Sequence, residues 1–358
     1  MPVEAEGDAE GDIAVPAQGT TPEPQPIVSP LTAAAIFLIL TVNPGGEETV
    51  RDLLADVSAL QRSVGFRIPD AELQVVTAIG SDAWDRLFAG PRPAELHSFR
   101  ELAGPRHHAP ATPGDLLFHV RANRMDLCFE FAAQVMRRLT DVAAVADEVH
   151  GFRYFDERDL IGFVDGTESP GGPAGLRAAI ITAGQDPDFA GGSYVIVQKY
   201  VHDIPAWSAL SVAEQERVIG RTKLDDIELP DDIKPSNSHV ALNTLTGPDG
   251  EQLQIIRANM PFGQVSTGEF GTYYISYAAT PSITEHMLEN MFLGSPPGNT
   301  DRILDFSTAL TGCNFFAPAA DFLDDPPGPP AAQDETAAPE TLTTTTGSLG
   351  IGSLKGQR

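Results

Sequence analysis

Cysteine is nearly missing from this chain of 358 residues, with Cys128 and Cys313 its only two. They carry no CxxC spacing, which excludes a disulfide scaffold and a cysteine-rich zinc or iron–sulfur centre. The chain therefore reads as a reduced, cytoplasmic protein. Basic residues are also scarce: 23 Lys and Arg stand against 50 Asp and Glu, a formal net charge of −27. Binding by phosphate neutralisation or at an anionic membrane surface is disfavoured, so neither nucleic acid nor membrane is an expected partner. No run is long and apolar enough to span a bilayer. Residues 31–42 (LTAAAIFLILTV) fall short of the ~20 residues required, and acids precede them where a signal peptide carries positive charge, so no targeting signal is expected. Missing too are GxxxxGK[ST], GxSxG, HExxH and a strand-linked GxGxxG.

Proline and glycine are plentiful, at 30 and 33, and unevenly placed. Residues 1–29 hold six acids and no base, and residues 318–346 hold six more, again with no base, amid Pro-Pro-Gly-Pro-Pro and a threonine run. Such composition buries too little apolar surface to offset ordering entropy. We therefore expect disordered segments at 1–30 and 318–346, leaving 38 acids and 21 bases, or −17, between them once Lys355 and Arg358 of the tail are also set aside. At about 150 residues per domain, the length fits two domains or one two-lobed unit.

Between those flanks, residues 31–42 read as a buried strand closed by the Asn43-Pro44-Gly45-Gly46 turn. Val50, Leu53, Leu54, Val57 and Leu60 recur at helical spacing over 47–63. A strand over 73–79, a helix over 82–88, a proline-rich connection over 90–114, a strand over 115–121 and a helix over 125–148 follow. The order is ferredoxin-like. A second round begins near 150, with strands at 152–155, 192–202, 252–257 and 271–279 and helices at 212–219 and 281–293. The expectation is α+β: a lobe over 31–149 and a second over 150–317, each an antiparallel sheet with one face covered by helices and the other free to line a cavity between sheets or lobes.

Three motifs stand out. In GFVDGTESP (162–170), two glycines bracket Asp165, a tight path that presents a carboxylate where another body approaches, although an Asp-Gly pair alone is most often only a turn. His239 in PSNSHVALN is, taken alone, most often a satisfied, partly buried histidine. Arg257 and Asn259 in IIRANMPFG share one face if the strand continues through them, although an arginine ending an apolar strand is usually exposed or ion-paired. His107-His108 reads as a solvated loop and His119 as a core residue.

The combination of GxxDG at Gly162, Asp165 and Gly166, the Ser-His-Val histidine and RANMPFG resembles the dye-decolorizing peroxidase family, class B in particular, over roughly residues 31–316. Ser169 departs from the family's usual DGTENP. The resemblance implies a haem peroxidase fold of the dimeric α+β barrel type, built from two ferredoxin-like lobes and holding one haem b per chain. It implies His239 as axial iron ligand, Asp165 and Arg257 as the distal pair, Asn259 as a distal neighbour, and Gly166 and Thr167 as further cofactor-binding positions. Asp301 in NTDRILDF is implied as the carboxylate on the proximal imidazole, with Asp305 four residues on as its rival. The partners implied are hydrogen peroxide and an organic reducing substrate, in a homo-oligomer. Trp207, Tyr194, Tyr200, Tyr273 and Tyr274 are surface-relay candidates by chemistry alone. Residues 347–358, with Leu349, Ile351 and Leu354 spaced by Gly and Ser, resemble the cargo-loading peptide that docks such enzymes inside an encapsulin nanocompartment. Two other readings stay open: a haem-binding or haem-delivery protein with little turnover, and a cofactor-free α+β barrel.

Overall fold

A computed structural model describes residues 22–331; the predicted cargo peptide at 347–358 and the first 21 residues lie outside that range. Its framework is one antiparallel sheet of ten strands. The first lobe contributes β1 (Ala34–Val42), β2 (Gln74–Gly80), β3 (Leu116–Ala122) and β4 (Ala143–Phe152), with helices α1 (Glu47–Gly65), α2 (Ser81–Leu87) and α3 (Met125–Arg138). The second contributes β5 (Ser193–His202), β6 (Ile256–Arg257), β7 (Met260–Gln264), β8 (Glu269–Ala278), β9 (Ser307–Ala309) and β10 (Cys313–Ala317). Its helices include α4 (Gly172–Ala179), α5 (Val212–Ile219), α6 (His239–Asn243) and α7 (Pro281–Phe292). The strand order is β6-β8-β5-β10-β2-β3-β1-β4, with β7 beside β8 and β9 beside β5. Each half thus has ferredoxin-like order, and the halves are joined where Phe315 and Phe316 of β10 pair with Gly80 and Ile79 of β2.

Burial on both faces explains why β1 shows no polar alternation. Ile36, Leu38 and Leu40 pack beneath α1 and α3, while Ala35, Phe37 and Ile39 enter a second core shared with Val149, Met260, Tyr273 and Phe315. That second core is the inside of a barrel. The sheet curls until its ends approach, with Val149 of β4 and Met260 of β7 in one cluster and Asp147 3.8 Å from Lys199. The face expected to line a cavity is therefore sealed, and the open space lies on the helix-covered side of the second lobe.

Three boundaries differ from the sequence reading. The helix predicted over 125–148 ends at Arg138, and Ala143–Phe152 is the strand that completes the first lobe. Val142, Val145 and Val149 mimic helical spacing, but only every second residue of this half-exposed strand needs to be apolar. The predicted strand at 152–155 is the end of β4 followed by a 3₁₀ turn, so the second lobe opens with β5. The predicted strand at 252–257 is two short pieces, Gln252–Leu253 and Ile256–Arg257.

The expected disordered flanks were drawn too wide. Ile27 is buried, and the Gln25 side chain donates to the carbonyls of Thr77 and Pro318, each at 2.8 Å, while accepting from the Thr77 amide at 2.7 Å. At the other end, Ala320–Asp324 is helical and Phe322 stacks on Trp84 at 5.3 Å. Residues 22–31 and 318–324 thus strap the barrel together. Replacing Gln25 by Ala strands three buried backbone groups, so it is expected to lower unfolding free energy by roughly 2–4 kcal/mol. Denaturant midpoints of the two proteins measure this, and an unchanged midpoint would refute the strap.

Candidate functional site

A solvent-connected cavity lies between the outer face of the second-lobe sheet and the segments that cover it. Tyr200, His202, Thr272 and Tyr274 form its floor, and Leu288, Met291 and Ile303 line part of its cover. Every residue expected at the site lines this cavity except Asp301: His239, Asp165, Gly166, Thr167, Arg257 and Asn259 all do.

His239 is the first residue of α6, whose preceding Ser238 caps the helix by accepting the Ala241 amide at 3.4 Å. Its Nδ1 lies 2.7 Å from Oδ2 of Asp301, which has no solvent exposure. Asn243, one turn along α6, donates to the His239 carbonyl at 2.7 Å and reaches the same Asp301 oxygen at 3.4 Å. The other Asp301 oxygen accepts the Ile303 amide at 2.9 Å. Burial works to lower the His239 pKa, but the charge of Asp301 and its hydrogen bond outweigh it and the net shift is upward. Asp305 faces elsewhere, 2.6 Å from Arg106 and 3.4 Å from His107. The His239 Nε2 atom makes no hydrogen bond among the described residues.

Asp165 sits on a loop that needs both of its glycines. Gly162 and Gly166 have φ of +94° and +82°, a region that costs other residues ~1–2 kcal/mol. The Asn259 amide donates to both Asp165 oxygens at 3.1 Å, and its own oxygen accepts the Ile275 amide at 3.0 Å. Asn259 is therefore a clamp, fixed at one end to the sheet. Ala258 and Asn259 interrupt the strand between β6 and β7, so the shared strand face imagined for Arg257 and Asn259 is replaced by a break that turns both to the cavity. Arg257 has no carboxylate within 4 Å among the described residues. Its amide donates to the Ser169 hydroxyl at 3.0 Å, so the residue that departs from the family pattern ties the Asp165 loop to the Arg257 strand. Thr167 donates to Asp226 at 2.6 Å, and Arg221 bridges Glu168 at 3.0 Å and Asp226 at 2.8 Å.

Three titratable cavity residues escaped the sequence reading: Asp159, His202 and Arg221. Gln198, Tyr200 and His202, alternating along one face of β5, were a visible signal for His202. Its pKa falls to about 4 through burial, against the pull of Asp165, so it stays neutral between the Ser307 and Thr272 hydroxyls. The Asp159 carboxyl is pushed up to about 7, first by burial and then by the charge of Asp165, although it accepts the Ile161 and Phe163 amides. Among the relay candidates, Trp207, Tyr194, Tyr200 and Tyr273 are buried, which rules out surface positions for them.

Family models for the N-terminal and C-terminal parts of the Dyp-type peroxidases match residues 24–153 and 156–322. The chain belongs to the Dyp-type peroxidase family. It is 62% identical over 332 residues to a dye-decolorizing peroxidase of Rhodococcus erythropolis, covering 93% of this chain and 97% of that one. The encapsulated DyP-type peroxidase of Mycobacterium smegmatis, solved by cryo-electron microscopy, superposes with a TM-score of 0.85 at 64% identity, covering 86% of this chain and all of that one. A DypB variant of Rhodococcus jostii, described in complex with heme, gives 0.82 at 52% identity over 84% of this chain and 98% of that one.

In this Dyp-type peroxidase, the raised Asp159 pKa makes stability depend on pH. The folded state binds this proton more tightly than the unfolded chain, whose carboxyl titrates near 3.8. The stabilisation is complete below that value and is lost as pH rises to about 7. Melting temperatures of the cofactor-free protein should therefore fall relative to those of Asp159→Asn across that interval, and a constant difference would contradict the assignment.

Proposed function

We propose that the chain is a haem-dependent peroxidase that reduces hydrogen peroxide and oxidises dye-like or phenolic donors, packaged as cargo in an encapsulin nanocompartment. The observation that carries this reading is the convergence on one cavity of an imidazole backed by a buried carboxylate, a clamped carboxylate, and a guanidinium with no ion-pair partner among the described residues. Haem suits the residues present. The Nε2 of His239 is free while Nδ1 is taken, the arrangement in which an axial histidine presents a neutral donor nitrogen. Apolar side chains of Phe163, Ile219, Leu288 and Met291 along its walls suit the faces of a large planar ligand. Haem would supply an iron that binds and reduces peroxide.

The residues around it divide the remaining work. Asp301 holds the His239 Nδ1 proton and makes the imidazole a stronger donor. Asp165 takes the proton from the near oxygen of hydrogen peroxide and returns it to the departing one. Asn259 keeps that carboxylate aimed, and the Arg257 guanidinium stabilises the charge that develops as the O–O bond breaks. A haem carrier with little turnover has no use for a clamped proton shuttle and a guanidinium lining the same cavity.

Residues 347–358 serve as the shell-docking segment: Gly and Ser let the backbone lie close to a groove while Leu349, Ile351 and Leu354 fill pockets. Several such tails on one homo-oligomer strengthen docking by avidity. The M. smegmatis relative, described as encapsulated, supports this placement.

Asp165→Asn and Arg257→Leu are each expected to keep the haem spectrum while slowing the peroxide step seen by stopped flow, and an unchanged rate in either would remove that residue from its role. Deleting 347–358 should abolish co-purification with encapsulin shell at undiminished peroxidase activity, whereas continued packaging would sink the docking assignment.

A further inference from the structure

The chemistry above uses one face of the second-lobe sheet. On β8, Thr272 and Tyr274 face the cavity, whereas Tyr273 and Tyr277 point into the sealed barrel. There Phe37 stacks on Tyr273 at 4.2 Å and on His119 at 4.6 Å. The His119 Nδ1 lies 2.7 Å from the Tyr277 hydroxyl. All four side chains are at most 1% exposed. Packing alone does not require a polar pair here, since apolar residues fill such a core without desolvation cost, and His119 Nε2 and two Arg121 nitrogens have no hydrogen-bond partner among the described residues. Burial, reinforced by the Arg121 charge, holds the His119 pKa well below its ordinary value, so the ring is neutral and Nδ1 can accept. Burial raises the Tyr277 pKa, so its phenol keeps the proton and donates it.

We propose that Tyr277 and His119 form a proton-coupled oxidation site, a one-electron sink for oxidising equivalents left when reducing substrate runs short. The inference rests on the peroxidase reading, because the oxidant is the haem after its reaction with peroxide. Tyr277 gives one electron to that oxidant, which is reduced by one equivalent. The phenolic proton crosses the hydrogen bond to His119 Nδ1, leaving a neutral phenoxyl radical and an imidazolium. An electron returning from an external donor sends the proton back. Tyr273 stands next to the cavity-facing Thr272 and Tyr274, but its hydroxyl has no hydrogen-bonded base among the described residues, so the oxidation comes to rest beyond Phe37 and His119, at Tyr277. The guanidinium of Arg121 disfavours a second positive charge on His119, so only a strong oxidant fills the site. With no exposed edge, the radical cannot attack dyes, and the sink protects the protein instead of serving turnover.

The test is freeze-quench electron paramagnetic resonance of the haem-reconstituted full chain, pulsed with hydrogen peroxide without a donor. A neutral tyrosyl signal is expected in the wild type and in Tyr273→Phe, and its loss in Tyr277→Phe, which keeps the ring and the packing. His119→Gln should shift the g-anisotropy of the signal by changing the hydrogen bond to the radical oxygen. A signal that survives Tyr277→Phe, or no tyrosyl signal although peroxide changes the Soret band, would overturn the proposal. A Soret band unmoved by peroxide would instead overturn the peroxidase reading, and the sink would fall with it.

Discussion

The hydrogen bond between His239 and Asp301 joins the parts of the helical cover that create the cavity. Asp301 has no contact with solvent, and a buried carboxylate is tolerable only when its lone pairs are used. Here His239 and Asn243 take one oxygen and the Ile303 amide takes the other. The Asp301 amide also donates to the Met291 carbonyl at 3.0 Å, near the end of α7. One residue therefore fixes the imidazole's orientation and starts the 3₁₀ turn at Arg302–Asp305 through its side chain, and ties that turn to α7 through its amide. Losing it would loosen the wall of the cavity as well as its histidine.

The barrel supplies the rigid opposing surface. Because its interior is filled by Phe37, Tyr273, Tyr277 and Phe315, the second-lobe sheet cannot deform towards it, and the cavity floor of Tyr200, His202, Thr272 and Tyr274 inherits that rigidity. Onto this floor the chain brings Asp165, held by two left-handed glycines and by Asn259, and Arg257, tied through its amide to Ser169. The geometry is that of a preorganised site, in which orientation is fixed by secondary contacts before any ligand arrives.

Much of this was legible in the sequence. The periodicity of 47–63 marks α1, and the continuous apolar run at 31–42 marks a strand buried on both faces. The paired glycines around Asp165 and the motifs at His239 and Arg257 bring together residues that indeed share one cavity. Other features were hidden for physical reasons. Val142, Val145 and Val149 recur at helical spacing, and only the pairing of β4 with β1 selects the strand. The choice between Asp301 and Asp305 depends on a contact 62 residues away in sequence. Asp159 and Arg221 are single charged residues whose relevance comes from where the loops fold back. The N-terminal strap looks disordered by composition, and what orders it is the burial of Gln25 and Ile27 against the barrel.

The central claim is that His239, backed by Asp301, holds a redox-active haem in this cavity. It is tested most directly by titrating haem into the cofactor-free full chain and into His239→Ala, then adding one pulse of hydrogen peroxide while recording the Soret region. The account predicts saturable binding at one haem per chain with a histidine-ligated spectrum that peroxide changes in the wild type, and loss of that ligation signature in the variant. Identical spectra from the two proteins, or a wild-type spectrum that peroxide leaves unchanged, would contradict it.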